Sequence, residues 1–392
     1  MVPAIAGFKP LVNPFRIRLL VGLLAAMESQ LAAIIRELKM SALSTGIRMS
    51  PEAEERLSNH GGTPLTIHEY ATTGGVTMEL PGQIYLNAPF DEPYCSKAEP
   101  LLGIDPSTDR FAVAFRGERI PVRMLPLPGY LDRRDEQGRL VKEVVMSHAD
   151  RVRISILSGC IYSCGFCDMA ATKYMKRPLE QFLSGLRIAR EDRQLPVKHV
   201  LLSGGTPNRT DQPYFEGICN GILRGCDIPV DIMMTPRPDV TVIDHLVDWG
   251  IHGFSLNVEV FNPGVAAKVI PQKARLGHEV WERSIQRAVG LTGGRGRVRS
   301  LLVVGLESTA QTLQGVEFLA RLGCDPVLSP FRPTRGIKLS DVPPPTPGYL
   351  REVYQTSEEI SHRYGVKLGP RCIPCQNNTL TFPDGTSAYY ST

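Results

Sequence analysis

Three cysteines fall close together at Cys160, Cys164 and Cys167, in the run RISILSGCIYSCGFCDMAATKY from Arg153 to Tyr174. The spacing Cys-x3-Cys-x2-Cys lets one loop curl and present three thiolates inward. Thiolates favour soft cations, so the first question is which metal chemistry three of them serve. A closed structural zinc site needs a fourth ligand, such as Asp168 or a remote histidine. An iron–sulfur cluster with three cysteine ligands instead leaves one iron open to a small molecule. Spacing alone leaves both readings standing.

The elements that must hold this loop show a rhythm after residue 150. RVRISIL, VKHVLLSGG, IPVDIMMT, IHGFSLNVEV, RVRSLLVVGLE and CDPVLSPF read as six apolar strands. Between them lie amphipathic helical runs such as PLEQFLSGLRIAREDRQ and VTVIDHLVDWG. Strands alternating with helices build a parallel sheet. The expected fold class is therefore α/β, a partial parallel (β/α)6 TIM-like barrel, with an open doubly wound sheet as the alternative. In either, chemistry belongs at the C-terminal strand ends, where the cysteine loop lies. Three parts follow: an N-terminal α+β accessory region over 1–149, the partial barrel over 150–365, and a C-terminal Cys-x2-Cys tail over 366–392. The accessory region reads as a helix over about residues 17–40 followed by the short β-like runs GVTMEL, QIYLNA, RFAVAFRG and RIPVRML.

The loop Cys160-Ile-Tyr-Ser-Cys164-Gly-Phe166-Cys167 resembles the signature of radical S-adenosylmethionine (radical SAM) enzymes. That resemblance implies a 4Fe-4S cluster on Cys160, Cys164 and Cys167, with SAM chelating the open iron. It also implies one-electron cleavage of the sulfonium, hydrogen abstraction from a small-molecule substrate by a 5′-deoxyadenosyl radical, and an electron donor such as flavodoxin or ferredoxin. Phe166 is then the aromatic residue near adenine, and Tyr162 a further SAM neighbour. Three other segments resemble the family's motifs. LLSGGTP holds Gly204, Gly205, Thr206 and Pro207 after the second strand, like the segment whose carbonyls bind the SAM amino group, with Thr206 in place of the familiar Glu. NVEVFNP holds Asn257 and Glu259, polar residues on one strand face, and is similar to the biotin synthase and lipoyl synthase branch. VVGLEST holds Gly305 and Leu306, like the segment that touches adenine, with Glu307 read as a cap for the next helix with Ser308. Arg332 and Arg335 in SPFRPTRG suit a carboxylate at the barrel top. The competing outcome is transfer of the 3-amino-3-carboxypropyl group of SAM to a soft, thiolate-bound substrate such as trivalent arsenic. A reading of another class is a non-catalytic zinc or iron–sulfur scaffold.

A second pair, Cys372 and Cys375 in GPRCIPCQNN, is by type a metal knuckle or a redox pair. Cys219 and Cys324 read as buried core residues, and Cys226 sits near a helix end. Cys95, in EPYCSKAEP, is the expected remote partner, so that Cys95, Cys372 and Cys375 converge near the barrel mouth. There they would hold an auxiliary cluster or a soft substrate. The plainer alternatives are cysteines that fasten the tail, or a surface zinc with His362.

Composition bounds the rest. A chain of 392 residues with 42% hydrophobic and 21% charged residues is ordinary for a globular protein, and a net charge of +4 offers no basic stripe for nucleic acid. The apolar run Ile17–Ile35 is interrupted by Glu28 and Gln30, so no membrane span is expected, and the chain reads as cytoplasmic. Nine cysteines in such a chain argue for metal, redox or catalytic use rather than a disulfide framework.

Overall fold

Side-chain alternation on six strands shapes the main sheet. The computed structural model describes residues 14–59, 74–294, 296–372 and 374–383. We number the strands of the main sheet β1 (Val145–His148), β2 (Arg151–Ser155), β3 (His199–Ser203), β4 (Val230–Met234), β5 (Gly253–Leu256), β6 (Val298–Val304) and β7 (Asp325–Pro330). They lie in chain order across one sheet, β2 to β7 all parallel. On β2, Val152 and Ile154 are fully buried, while Arg151 and Arg153 point to the opposite face. The same period of two puts His199, Leu201 and Ser203 of β3 on that inner face, with Asp231 and Met233 of β4 and Arg299, Leu301 and Val303 of β6.

Helices cover the outer face. They are α2 (Leu179–Arg190), α3 (Gln212–Gly225), α4 (Thr241–Asp248), α5 (His278–Thr292), α6 (Thr309–Arg321) and α7 (Pro347–Arg363), with α1 (Pro14–Thr45) preceding them. Helix α2 buries Phe182, Leu186 and Ala189 at three- and four-residue spacing. Each large apolar side chain so buried contributes about 1.5–3 kcal/mol. Ser308 and Gln311 form a reciprocal capping box that starts α6.

Strand β1 was not read from the sequence, and it falls in the span assigned to the accessory region. It pairs antiparallel with β2 across a two-residue turn, His148 opposite Arg151, so the sheet begins before residue 150. Ala149 takes φ +51 there, a left-handed conformation that the sequence does not signal with Gly or Asn. The accessory region contains the expected strands Val76–Leu80, Ile84–Ala88, Arg110–Phe115 and Glu118–Pro121, a further strand at Leu101–Asp105, and the two-residue strands Arg48–Met49 and Arg123–Met124. Helix α1 runs longer than the expected 17–40. The helical spacing of Leu19, Leu20, Leu23, Leu24 and Met27 concerns side chains outside the described ones. Among the described residues no helix is long and apolar enough to cross a membrane.

The sheet is open between its edge strands β7 and β1, and the C-terminal tail fills the gap. Gly369 N donates to Pro326 O (2.7 Å) and Leu380 N to Leu328 O (2.8 Å), both on β7. On the β1 side, Asn377 Nδ2 lies 2.9 Å from His148 Nε2. Helix α1 covers the tail from outside. Lys39 Nζ donates to Gln376 O (2.9 Å) and Thr381 O (2.6 Å) and lies over the Phe382 ring. Burial pushes the Lys39 ammonium down to about 7, and these partners replace its water.

Candidate functional site

One cavity of about 850 Å3 runs through the inside of the sheet. Its upper end is the cysteine loop that follows β2. Cys160, Cys164, Cys167, Tyr162 and Phe166 all line it. The loop is stapled on two sides: Gly165 N donates to Val269 O (2.7 Å), and Leu339 N to Gly165 O (3.0 Å). The turn after β3 comes up against it. Thr206 N donates to Cys160 Sγ (3.2 Å), as does Tyr162 N (3.4 Å). These two backbone N–H groups fix the position of the Cys160 sulfur.

Glycine at 204 and 205 is required by this approach. Gly204 has φ +124, and a Cβ on Gly205 would sit 1.6 Å from Gly159 O. The two glycines therefore let the turn meet the cysteine loop itself; the sequence reading had them meet a ligand.

The donor set fits a cluster better than a single ion. Three sulfurs on one zinc at ~2.3 Å would lie about 3.8 Å apart. Among the described residues, the metal-ligating group that closes within 4.8 Å is a different one, His199 with Cys372 and Cys375. The three loop sulfurs do not all close within that distance. Burial pushes the Cys164 thiol up to about 12 and Cys167 to about 11. A coordinating cation reverses that preference by binding the thiolates.

Asn257 and Glu259 follow β5 and face the cavity, both buried. Asn257 Oδ1 accepts from Ser255 Oγ (2.8 Å) and Leu301 N (3.1 Å), which ties β5 to β6. Glu259 is held by both its oxygens to Lys273 Nζ, at 2.7 and 2.8 Å. Burial opposes the Lys273 charge, but Glu259 and the nearby thiols outweigh it and hold the ammonium protonated. Glu259 has φ +66, a left-handed conformation that costs of order 1–3 kcal/mol in a residue with a Cβ. Glu307 pins this segment by accepting from Phe261 N (3.0 Å) and from Asn262 N. It is not the α6 cap, since Ser308 and Gln311 do that work.

Other expected residues lie elsewhere. Gly305 packs toward Pro345, and Leu306 joins an apolar cluster with Phe166; neither lines the cavity. Arg332 does line it, but the guanidinium reaches into the accessory region and donates to Asn87 O (2.8 Å). Arg335 is exposed and faces Asp91 and Glu92, away from the cavity. Both arginines therefore fasten the barrel to the accessory region. Arg237 lines the cavity and pairs with Glu216 at 3.4 Å.

Cys95 does not join Cys372 and Cys375. It is buried in a short 3-10 turn, with its sulfur against Gly46 at the end of α1. His199 takes the third place instead. Cys375 Sγ lies 3.5 Å from His199 Nε2, and Cys375 N donates to Cys372 Sγ (3.3 Å). His362, on α7, is outside this group. His199 is the first residue of β3, so the group sits at the N-terminal strand ends and not at the mouth with the cysteine loop. From His199 to Ser203 is about 13 Å at ~3.3 Å per residue. Both groups line the same cavity. Sequence reasoning missed His199, although it alternates in phase with Ser203 and so shares the inner face. The floor between them is charged. Burial alone would raise Asp231, but Arg299 at 2.8 Å and His252 at 3.0 Å hold it down at about 2.

No family model matches the chain, and no curated protein matches it. Solved structures do. HydG, a maturase of the FeFe hydrogenase, is similar at 15% identity over 59% of this chain and 56% of that one, with a TM-score of 0.46. SuiB of Streptococcus suis, solved bound to S-adenosylmethionine, is similar at 15% over 57% and 47%, TM-score 0.42. A radical SAM methyltransferase from Sphaerobacter thermophilus is similar at 14% over 72% and 81%, TM-score 0.45. The chain spans about half the length of the first two. At this level of similarity no residue's role is carried over from them.

Proposed function

We propose that this chain is a radical SAM enzyme acting on a small molecule. One observation carries the reading. The cysteine loop, the Gly204–Pro207 turn and the Asn257/Glu259 segment, far apart in sequence, line one cavity at the C-terminal ends of a parallel sheet. Cys160, Cys164 and Cys167 would hold a 4Fe-4S cluster. Tyr162, Phe166, Gly204, Gly205, Thr206, Pro207, Asn257 and Glu259 would surround SAM. Leu306 packs with Phe166, and Gly305 and Leu306 would complete the adenine side from outside the cavity lining. When bound, the cluster and SAM together supply an electron and a carbon radical that takes hydrogen from substrate.

The chain's own residues position and shield. Thr206 N–H and Tyr162 N–H both donate to Cys160 Sγ and fix where that sulfur points. Lys273 grips both Glu259 oxygens and fixes the carboxylate where it lines the cavity. The Glu307 carboxylate fixes the turn that carries both Asn257 and Glu259. The tail and α1 close the open side of the sheet. The run Asn257–Pro263 supports kinship with the biotin synthase and lipoyl synthase branch.

The test is anaerobic reconstitution with iron and sulfide. Expected are an iron–sulfur absorption spectrum and an electron paramagnetic resonance signal that SAM alters. After reduction, 5′-deoxyadenosine in the products supports hydrogen abstraction. Methylthioadenosine would mean aminocarboxypropyl transfer instead. A cluster whose signal ignores SAM would leave only the scaffold reading.

A further inference from the structure

The far end of the cavity carries a second set of ligands that the radical SAM reading does not use. Cys372, Cys375 and His199 bring two sulfurs and an imidazole nitrogen within 4.8 Å of one another. Cys372 and His199 are buried and Cys375 is nearly so. The backbone is shaped for it. Pro374–Asn378 is a 3-10 turn, in which Cys375 N reaches both Cys372 Sγ (3.3 Å) and Cys372 O (3.1 Å). That turn folds both sulfurs to one side. His199 presents Nε2 to Cys375, while its Nδ1 lies on the side of Asp150, 3.9 Å from Oδ1. A carboxylate behind the outer nitrogen of a metal-binding imidazole is a recurrent second shell.

From this geometry we infer that His199, Cys372 and Cys375 form a zinc-class site whose fourth position opens into the cavity. Two thiolates and one imidazole form a known zinc donor set, in which a vacant fourth position marks a site that binds an exchangeable ligand. All three residues line the cavity, so the vacancy faces the space where a substrate would lie. The ligand class is a small molecule bearing an anionic donor, a thiolate or a carboxylate. It would be held at the floor of the cavity, about 13 Å below Ser203 along β3. Together with the proposed cluster this would give a metal centre at each end of a single chamber, with the substrate anchored by the lower one.

The inference goes beyond the radical SAM reading and is tested without it. The full-length chain carrying Cys160→Ala, Cys164→Ala and Cys167→Ala is prepared anaerobically, so that iron at the upper end contributes nothing. Zinc(II) alone and cobalt(II) alone are the probes. Expected are one zinc per chain and an X-ray absorption shell of two sulfurs at ~2.3 Å with nitrogen at ~2.0 Å. Adding Cys372→Ser and Cys375→Ser, or His199→Gln, weakens zinc binding at least tenfold. Asp150→Asn weakens it by about 10–100-fold through the outer shell. A small thiol shifts the cobalt(II) charge-transfer bands, because it takes the open position. The idea is overturned if zinc is not retained, if its shell lacks two sulfurs, or if iron and sulfide bind there as a second cluster. A cobalt(II) spectrum indifferent to added thiol overturns the open position. The absorption shell is measured with Cys372, Cys375 and His199 intact, so misfolding of their variants does not blur the result.

Discussion

Cysteine serves at both ends of the cavity, on opposite plans. At the C-terminal strand ends three sulfurs come from one loop and do not all close within 4.8 Å, and Cys160 Sγ receives backbone N–H groups from Thr206 after β3 and from Tyr162. At the other end two sulfurs and an imidazole close within 4.8 Å and come from segments 176 residues apart in the chain. The difference is one of scale. A loop can wrap a cluster that is several atoms wide, and its own closure supplies the order. A single ion needs ligands close together, and here only the fold brings them there.

The largest effect expected tests that contrast directly. Replacing Cys160, Cys164 and Cys167 by Ala should abolish iron loading entirely while leaving zinc at the lower end. Iron and zinc measured on one sample check it, and iron persisting at the lower end would break the contrast. Next comes Gly205→Ala. Its Cβ would overlap Gly159 O, so the turn must move and Thr206 N loses Cys160 Sγ. Cluster content on reconstitution should fall severalfold, with zinc binding unchanged. A normal iron content would mean that the turn does not support the loop.

Lys273→Met is the third. It leaves Glu259 buried and unpaired, which costs about 3–5 kcal/mol, read as a lower urea midpoint. Glu259→Gln with Lys273→Met should recover part of that loss, because the pair then goes together.

The smallest effect concerns the lower end. Burial first, and then Arg151, push His148 down to about 3, against ~6.5 in an unfolded chain. Between those values the unfolded chain binds a proton that the fold refuses. The contribution is complete above about pH 6.5 and is lost as pH falls toward 3. The slope is at most ~1.4 kcal/mol per pH unit. His148→Gln should flatten the acid side of the metal-free stability profile over that window. An unchanged slope would mean that the imidazole is not held neutral against Asn377.

How much of this was legible follows the same division. The six parallel strands and the face each residue takes could be read from period-two patterns, as with Arg151 and Arg153 against Val152 and Ile154. The cysteine loop was legible because its ligands are neighbours in sequence. Strand β1 was not, because the turn at Ala149 and Asp150 carries no residue that advertises a left-handed conformation. The position of the tail was not legible either. Nothing in PRCIPC says which end of a sheet it will cross, so Cys95 was set where His199 stands. Arg332 and Arg335 looked like anion ligands because loop arginines carry no mark of the neighbour they will meet.

The seam made by Lys39, Gln376 and Thr381 bears on how far this molecule is modular. Its barrel wall is borrowed from both flanks: α1 supplies the cation, and the tail supplies the carbonyls and the filler between β7 and β1. A barrel excised at the apparent boundaries would keep all six parallel strands and still be an open trough. Such contacts, 337 and 342 residues apart, make the flanks part of the cavity's architecture and not appendages to it.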